Sequence, residues 1–192
     1  MNSKGVINIP NLLSLFRVAA APVLLILIFN EHESAFKWLL TFAFFTDMID
    51  GFIARKLHQE SKLGSILDSV GDSLTIIFGV TGLVHFRYEL YSDHSTIIHV
   101  VIGLHLFQLG LSLWRYGKPS SFHTWSAKFA ALGIGLFILS TFHFGFSSEL
   151  FYLAILLLII DATEESILVF LLPEWKNDVK GIYWVLKNRS LK

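Results

Sequence analysis

Four aspartates, an arginine and two glycines stand at fixed spacing in one stretch of an otherwise apolar chain. From Asp47 it reads DMIDGFIARKLHQESKLGSILDSVGD, a pattern D-x2-D-G-x2-A-R-x8-G-x3-D-x3-D carried by Asp47, Asp50, Gly51, Ala54, Arg55, Gly64, Asp68 and Asp72. A carboxylate near a bilayer core costs roughly 2.5–3.5 kcal/mol on insertion scales, and acids in such a setting mark a functional site by default. Four together need a cation or a polar cavity to solvate them, because unaided they repel and some take up protons. All-oxygen ligation favours Mg²⁺, Mn²⁺ or Ca²⁺ over zinc, and Mg²⁺ is commonly completed by substrate phosphates. Gly51, Ala54 and Gly64 leave the walls bare of side chains, and Arg55 offers a planar fork for phosphate. The chemistry implied is a metal-bound diphosphate site.

Helices are the elements that must position these groups. At about 100° per residue, Asp47, Asp50, Gly51 and Ala54 share one side of a helix, and Gly64, Asp68 and Asp72 stack at i, i+4 and i+8 on the next. A join around Leu57–Ser61 sets the two antiparallel, with Asp47 level with Asp72 and Asp50 level with Asp68. The whole chain suits this. Of its 192 residues 54% are hydrophobic and only 16% charged, and the mean hydropathy is +0.61, far above that of a soluble domain. Six apolar stretches, near 10–29, 34–56, 62–85, 95–114, 124–146 and 149–171, approach the ~20 residues that cross a bilayer as a helix. The expected fold is all-α and membrane-integral: six transmembrane helices with short loops form one catalytic domain over 1–172, followed by a basic tail over 173–192. That tail, with Trp175, Tyr183 and Trp184 among lysines, suits either an interfacial segment or a solvated end.

Net charge is zero, so no global field recruits nucleic acid. The absence of cysteine excludes disulfides and thiolate metal sites. The opening MNSKGVINIPNLLSLFR lacks a small-residue cleavage site and reads as the start of a retained span. Lys and Arg collect at Arg55–Lys62, Arg115–Lys118 and the tail, while Glu31, Glu33, Glu89, Asp93 and Glu149 mark the other side. The positive-inside rule then puts both termini and the aspartate cluster on the cytoplasmic face.

The stretch Asp47–Asp72 resembles the signature of the CDP-alcohol phosphotransferases, integral membrane enzymes of phospholipid synthesis, with every signature residue at the family spacing. The opening IPNLLSLFR is similar to the first-span entry of that family. The resemblance implies a CDP-linked lipid donor such as CDP-diacylglycerol, attack by an acceptor hydroxyl and release of CMP. It implies two metal ions, Mg²⁺ or Mn²⁺, held by Asp47, Asp50, Asp68 and Asp72, with Asp72 also the base, and a homodimer in a bacterial cytoplasmic membrane. No cysteine is present and no Ser–His pairing is evident at the site, so direct displacement is expected rather than a covalent intermediate.

The opening and size look most like phosphatidylglycerophosphate synthases, whose acceptor is glycerol 3-phosphate. Many of those read D-P-x-A-D-K where this chain has Asp68-Ser69-Val70-Gly71-Asp72-Ser73. That departure leaves phosphatidylglycerol, an inositol phosphate or serine as alternative acceptors. From a different class, a divalent-cation transporter would use the same acids but leaves Arg55 and the glycines unexplained.

Other polar residues divide between function and structure. Asn11 and Ser14, about one turn apart at the start of the first span, are candidates for binding the CDP-lipid, and Arg17 follows at the same spacing. Arg17 with Arg115, Lys118 and Lys128 is a candidate for a phosphorylated acceptor, with positive-inside charge as the plain alternative for the latter three; His123 and Thr124 are candidates for hydrogen bonds there. Asp161, Glu164 and Glu165 interrupt the last span; some are expected to pair with Arg17 or Lys128, with shaping the acceptor site or binding a cation as the alternative. His99, His105 and His143 have no ligand spacing and are expected to bond between helices.

Overall fold

The computed structural model describes residues 9–57, 62–120, 122, 124–176 and 179–189, with the side chains at 9–10, 50–57, 62–63, 65 and 188–189 excepted. The described residues form seven helices: α1 (Ile9–Phe29), α2 (Glu33–Leu57), α3 (Lys62–Phe86), α4 (Tyr88–Tyr116), α5 (Trp125–Phe144), α6 (Ser148–Leu171) and α7 (Ile182–Arg189). The first six fall on the six apolar stretches. The largest difference is α4, which begins seven residues before the expected 95, because only a single turn residue, Arg87, separates it from α3.

Among the described residues, four segments are long and apolar enough to cross a membrane: Asn11–Phe29, Ile66–Phe86, Tyr88–Tyr116 and Trp125–Phe144. α2 and α6 are as long, but their charges set them apart: Glu33, Lys37, Asp47, Asp50, Arg55 and Lys56 in one, Glu149, Asp161, Glu164 and Glu165 in the other. The chain divides into two compact units, Met1–Leu90 with Ile138–Gly145, and Tyr91–Phe137 with Phe146–Lys192.

The first unit is built on α1. One stripe of it, Asn11, Ser14, Arg17, Ala20, Ala21, Leu24 and Ile28, is buried at helical period, while Leu12, Leu15, Val23, Ile26 and Phe29 face outward. α1 packs against both α2 and α3. The α1–α2 turn is tight: Glu31 takes a left-handed φ of 57°, and its N–H bonds back to the Ile28 carbonyl at 3.1 Å. α2 contributes Phe36, Leu40, Ala43 and Thr46, again at turn spacing. On α3 the facing line runs Gly71, Thr75, Gly79, Gly82 and Leu83. Two of these glycines permit close approach. A Cβ on Gly82 would collide with the Phe36 ring, and one on Gly79 would lie 3.3 Å from Ile138 Cδ1. The end of this unit remote from the aspartates is pinned by ion pairs. Arg87 forks onto Glu33 at 2.5 and 3.1 Å, and His85 meets Glu31 at 2.9 Å. The Arg87 hydrogen bond holds the Glu33 carboxyl below its ordinary range.

In the second unit, Phe122, Leu168, Val169, Leu172 and Val179 form a core that Leu111, Tyr116, Ile182 and Val185 extend. Within the segment treated from sequence as a tail, α7 therefore packs back on α6. The Ile182 N–H donates to Glu164 Oε1 at 2.9 Å, Trp125 N–H to the Lys180 carbonyl at 3.3 Å, and Trp175 Nε1 to the Pro119 carbonyl at 3.1 Å. Gly181, at φ +144°, makes the bend that lets Glu164 reach the first turn of α7.

Candidate active site

Three aspartates converge in the first unit. One oxygen each from Asp47 on α2 and from Asp68 and Asp72 on α3 lie within 4.8 Å of one another. Asp68 and Asp72 are one helical turn apart and share a face by the i, i+4 relation. Asp47 follows the buried Thr46, so packing of the α2 stripe carries its carboxylate to the same place. The hydroxyls of Thr46 and Thr75 bond to their own helix carbonyls, Ala43 and Gly71, at 2.8 Å each, which leaves the carboxylates uncapped by them. All three acid side chains are roughly 40% exposed, so the cluster opens to the surroundings on one side.

Its closed side is Arg17. This guanidinium is fully buried at the bottom of the cluster, with Nη1 3.1 Å from Asp47 Oδ1 and Nη2 2.9 Å from Asp72 Oδ1. Nη2 also donates to Asp68 Oδ1 at 2.6 Å. Gly71 makes the seat, since a Cβ there would lie 3.0 Å from Arg17 Nε, 3.1 Å from Arg17 Cβ and 3.5 Å from the Ser14 carbonyl. Arg17, a candidate from sequence for an acceptor phosphate, is in this structure the ion-pair partner of the three aspartates. Its placement in apolar sequence, in step with Asn11 and Ser14, was the available signal.

The donor set suits a hard divalent cation. With the three acids ionised, the cluster and Arg17 sum to two negative charges. Oxygens sharing one ion at about 2.0–2.6 Å stand no more than ~5 Å apart, as these do. Asp72 Oδ1 is buried and, although close to Arg17 Nη2, accepts no well-formed hydrogen bond from the described residues. A buried acceptor left in this way gains from a cation.

Of the other expected site residues, Asn11 and Ser14 are buried on the α1 stripe beside Arg17, and Gly64 is half-buried two turns before Gly71 on α3. Asp50, Gly51, Ala54 and Arg55 continue α2 beyond Asp47, but their side chains lie outside the described residues, as do His123 and the join at 58–61. Arg115, Lys118 and Lys128 belong to the second unit and are exposed there. Arg115 reaches the Leu172 carbonyl at 3.3 Å and lies over the Tyr116 ring; Lys118 lies over Trp175 and Lys128 over Trp125, each at 5.0 Å.

The expectation that some of Asp161, Glu164 and Glu165 pair with Arg17 or Lys128 is corrected. Asp161 and Glu164 accept from Ser126 Oγ at 3.2 and 2.5 Å, and Glu165 accepts from Gln108 at 2.7 Å and Ser120 at 2.8 Å. Neutral donors solvate these acids, a network that polar residues scattered over α4, α5 and the loop between them do not announce in sequence. One of the histidines bonds between helices, His143 to Thr41 at 2.8 Å; His105 bonds to the Val101 carbonyl of its own helix at 3.0 Å, with Asp161 3.9 Å from its other nitrogen. His99 instead meets Tyr91 and the Ser95 carbonyl of its own helix.

Comparison with known proteins adds a second line. The sequence profile of the CDP-alcohol phosphatidyltransferase family matches residues 7–164. A CDP-diacylglycerol--glycerol-3-phosphate 3-phosphatidyltransferase of Aquifex aeolicus is 37% identical over 82 residues, covering 43% of this chain and 46% of that one. One from Wigglesworthia glossinidia brevipalpis is 27% identical over 115 residues, 58% of this chain and 63% of that one. A cardiolipin synthase (CMP-forming) of Rattus norvegicus is 46% identical over 70 residues, 36% of this chain and 23% of that one. The matched region spans about half to under two thirds of the two phosphatidyltransferases. No solved structure matches.

Proposed function

The chain belongs to the CDP-alcohol phosphatidyltransferase family, and from that premise we propose that it transfers a phosphatidyl group from CDP-diacylglycerol to glycerol 3-phosphate, releasing CMP. The observation that carries this is the convergence of Asp47, Asp68 and Asp72 from two helices onto one point. The choice of acceptor rests on the two phosphatidyltransferases named above.

Asp47, Asp50, Asp68 and Asp72 would hold the divalent cations, Mg²⁺ or Mn²⁺ and two to a site, which when bound neutralise the diphosphate and the charge developing on the departing CMP. The protein's own groups do the rest. Asp72 accepts the proton of the acceptor hydroxyl as its oxygen bonds to the phosphorus bearing the lipid, while the bond from that phosphorus to the CMP oxygen breaks. Such displacements need chiefly positioning and charge stabilisation. Arg55, one to two turns beyond the acids on α2, grips the diphosphate, and Gly51, Ala54 and Gly64 let it approach the helix backbones. Asn11 and Ser14 present hydrogen-bonding groups from the buried face of α1.

All six long helices span the bilayer in this reading, the acids of α2 being solvated by the site and the inner acids of α6 by their hydrogen bonds. The site and both termini face the cytoplasm of a bacterial cell, and the enzyme is a homodimer in its membrane. A second reading keeps the chemistry but takes phosphatidylglycerol as acceptor. It is favoured by the 46% identity with the rat cardiolipin synthase and by Ser69 and Ser73 standing where many phosphatidylglycerophosphate synthases have proline and lysine.

The test incubates purified protein with CDP-diacylglycerol, Mg²⁺ and each acceptor in turn. CMP and phosphatidylglycerophosphate are expected with glycerol 3-phosphate. Cardiolipin formed from phosphatidylglycerol would replace the first reading by the second, and no CMP with any alcohol would end both.

A further inference from the structure

Arg17 is the one charged side chain in the chain's described core that is fully enclosed, and it touches three acids from two other helices at once. A guanidinium is always charged and cannot shed its proton to escape burial. Its two terminal nitrogens reach oxygens of Asp47, Asp68 and Asp72, the same three groups whose geometry suits a divalent ion. Gly71 is shaped around it, and the α1 stripe beneath it is packed. Arg17 is thus held in place by the fold itself.

We propose that Arg17 is a built-in cation of this site. It clasps α2 and α3 together through their aspartates before any metal arrives, and it competes with the metal for those carboxylates once metal is present. Two consequences follow from charge alone. Without metal, the three aspartates stay converged because one positive charge already lies among them. With metal, affinity is held down, because an incoming ion meets a cluster whose negative charge Arg17 has reduced by one. Such damping suits a site that must exchange a metal-bound diphosphate product at every turnover. The competition half rests on the metal-dependent reading proposed above; the clasp half does not.

The test is thermal unfolding of the full chain in detergent, in chelator and across a Mg²⁺ or Mn²⁺ titration, for wild type and Arg17→Met. Removing one partner of a buried pair leaves the other uncompensated, so the Tm of the variant in chelator should fall by on the order of 10 °C. Metal should then raise its Tm by more than it raises that of wild type, with half-saturation at roughly tenfold lower concentration, the effect of one charge at close range in a partly solvated site. If Arg17→Met does not fold in chelator but does in Mg²⁺, the clasp is supported. If it folds in neither, Arg17→Lys, which keeps the charge but loses the fork, should lose Tm in chelator while its metal response stays close to wild type's; an unchanged Tm then overturns the clasp, and a metal response well above wild type's overturns the competition. For Arg17→Met, an unchanged Tm in chelator overturns the clasp, and a metal-induced shift no larger than wild type's overturns the competition. A wild-type protein that shows no metal response at all, yet loses Tm in chelator on Arg17→Met, would leave the clasp standing and remove the metal-dependent reading instead.

Discussion

Gly71→Ala is the sharpest single-atom perturbation of the site. The added Cβ would stand 3.0 Å from Arg17 Nε and 3.1 Å from Arg17 Cβ, against ordinary carbon contacts of about 3.5–4.0 Å. Relief needs a shift of roughly half an ångström by one of the two helices or by Arg17. Arg17 cannot yield freely, because Asp47, Asp68 and Asp72 hold its guanidinium from the far side. Overpacking of this kind costs about 1–3 kcal/mol. Alanine's higher helix propensity returns about 0.8–1.0 kcal/mol. The net loss is therefore ~0–2 kcal/mol, a few degrees in Tm, and the fold survives. Catalysis is more sensitive: displacement of reacting groups by about 1 Å can cost ~100-fold, so a half-ångström shift predicts a ~10-fold loss of CMP release. The control is Gly103→Ala on α4, where nothing lies within 4 Å of the new atom; it should keep wild-type turnover and melt no lower. Both variants are assayed for initial rate of CMP release from CDP-diacylglycerol and for thermal unfolding. Gly71→Ala turning over within twofold of wild type would refute the claim that the α1–α3 approach at Gly71 sets the geometry of the acids.

Asp72→Asn should keep CDP-diacylglycerol binding within a few-fold while turnover falls by at least ~10²–10⁴, the usual worth of a general base; near-normal turnover would remove Asp72 from that role. Chelation should stop CMP release and Mg²⁺ or Mn²⁺ restore it, and full activity in metal-free buffer would contradict the proposed chemistry. At the other end of the first unit, Glu33 has a carboxyl lowered from 4.5 by the Arg87 hydrogen bond. The unfolded chain binds the proton more readily than the folded one there, so this pair adds stability above about pH 4.5 that is lost as pH falls through the folded value. Arg87→Gln should flatten the acid limb of a Tm–pH profile below about pH 4.5 and leave the slope above it unchanged; an unaltered acid limb would show that the pair contributes nothing. Gly82→Leu should prevent or severely weaken folding, since even a Cβ there meets the Phe36 ring, and a variant with wild-type Tm would overturn the packing of α3 on α2.

The long helices and the acid cluster were legible in sequence for simple reasons. Apolar runs near span length admit little besides helices, and Asp68 and Asp72 at i, i+4 have one geometric outcome. Asp47 was legible because an antiparallel neighbour must bring the end of one helix beside the start of the next. What escaped was set by tertiary contact. α1 holds no acid, and the acids that Arg17 meets are far along the chain, Asp68 51 residues on, so spacing alone could not tell a phosphate ligand from an ion-pair partner. The acids of α6 looked in need of a cation, yet Ser120, Ser126, Gln108 and the Ile182 N–H satisfy them with neutral hydrogen bonds. α7 was hidden because Ile182 and Val185 are too few to signal an amphipathic helix; the groove beside Leu168 and Leu172 that receives them exists only in the folded chain.

Mn²⁺ binding to the substrate-free protein, read directly by electron paramagnetic resonance, addresses the central claim without relying on turnover. The wild-type protein should hold Mn²⁺ saturably, Asp47→Asn and Asp68→Asn should each weaken that binding by at least tenfold, and Mg²⁺ should displace it. Mn²⁺ retained equally by both variants would mean that the converged aspartates of α2 and α3 are not where the metal sits.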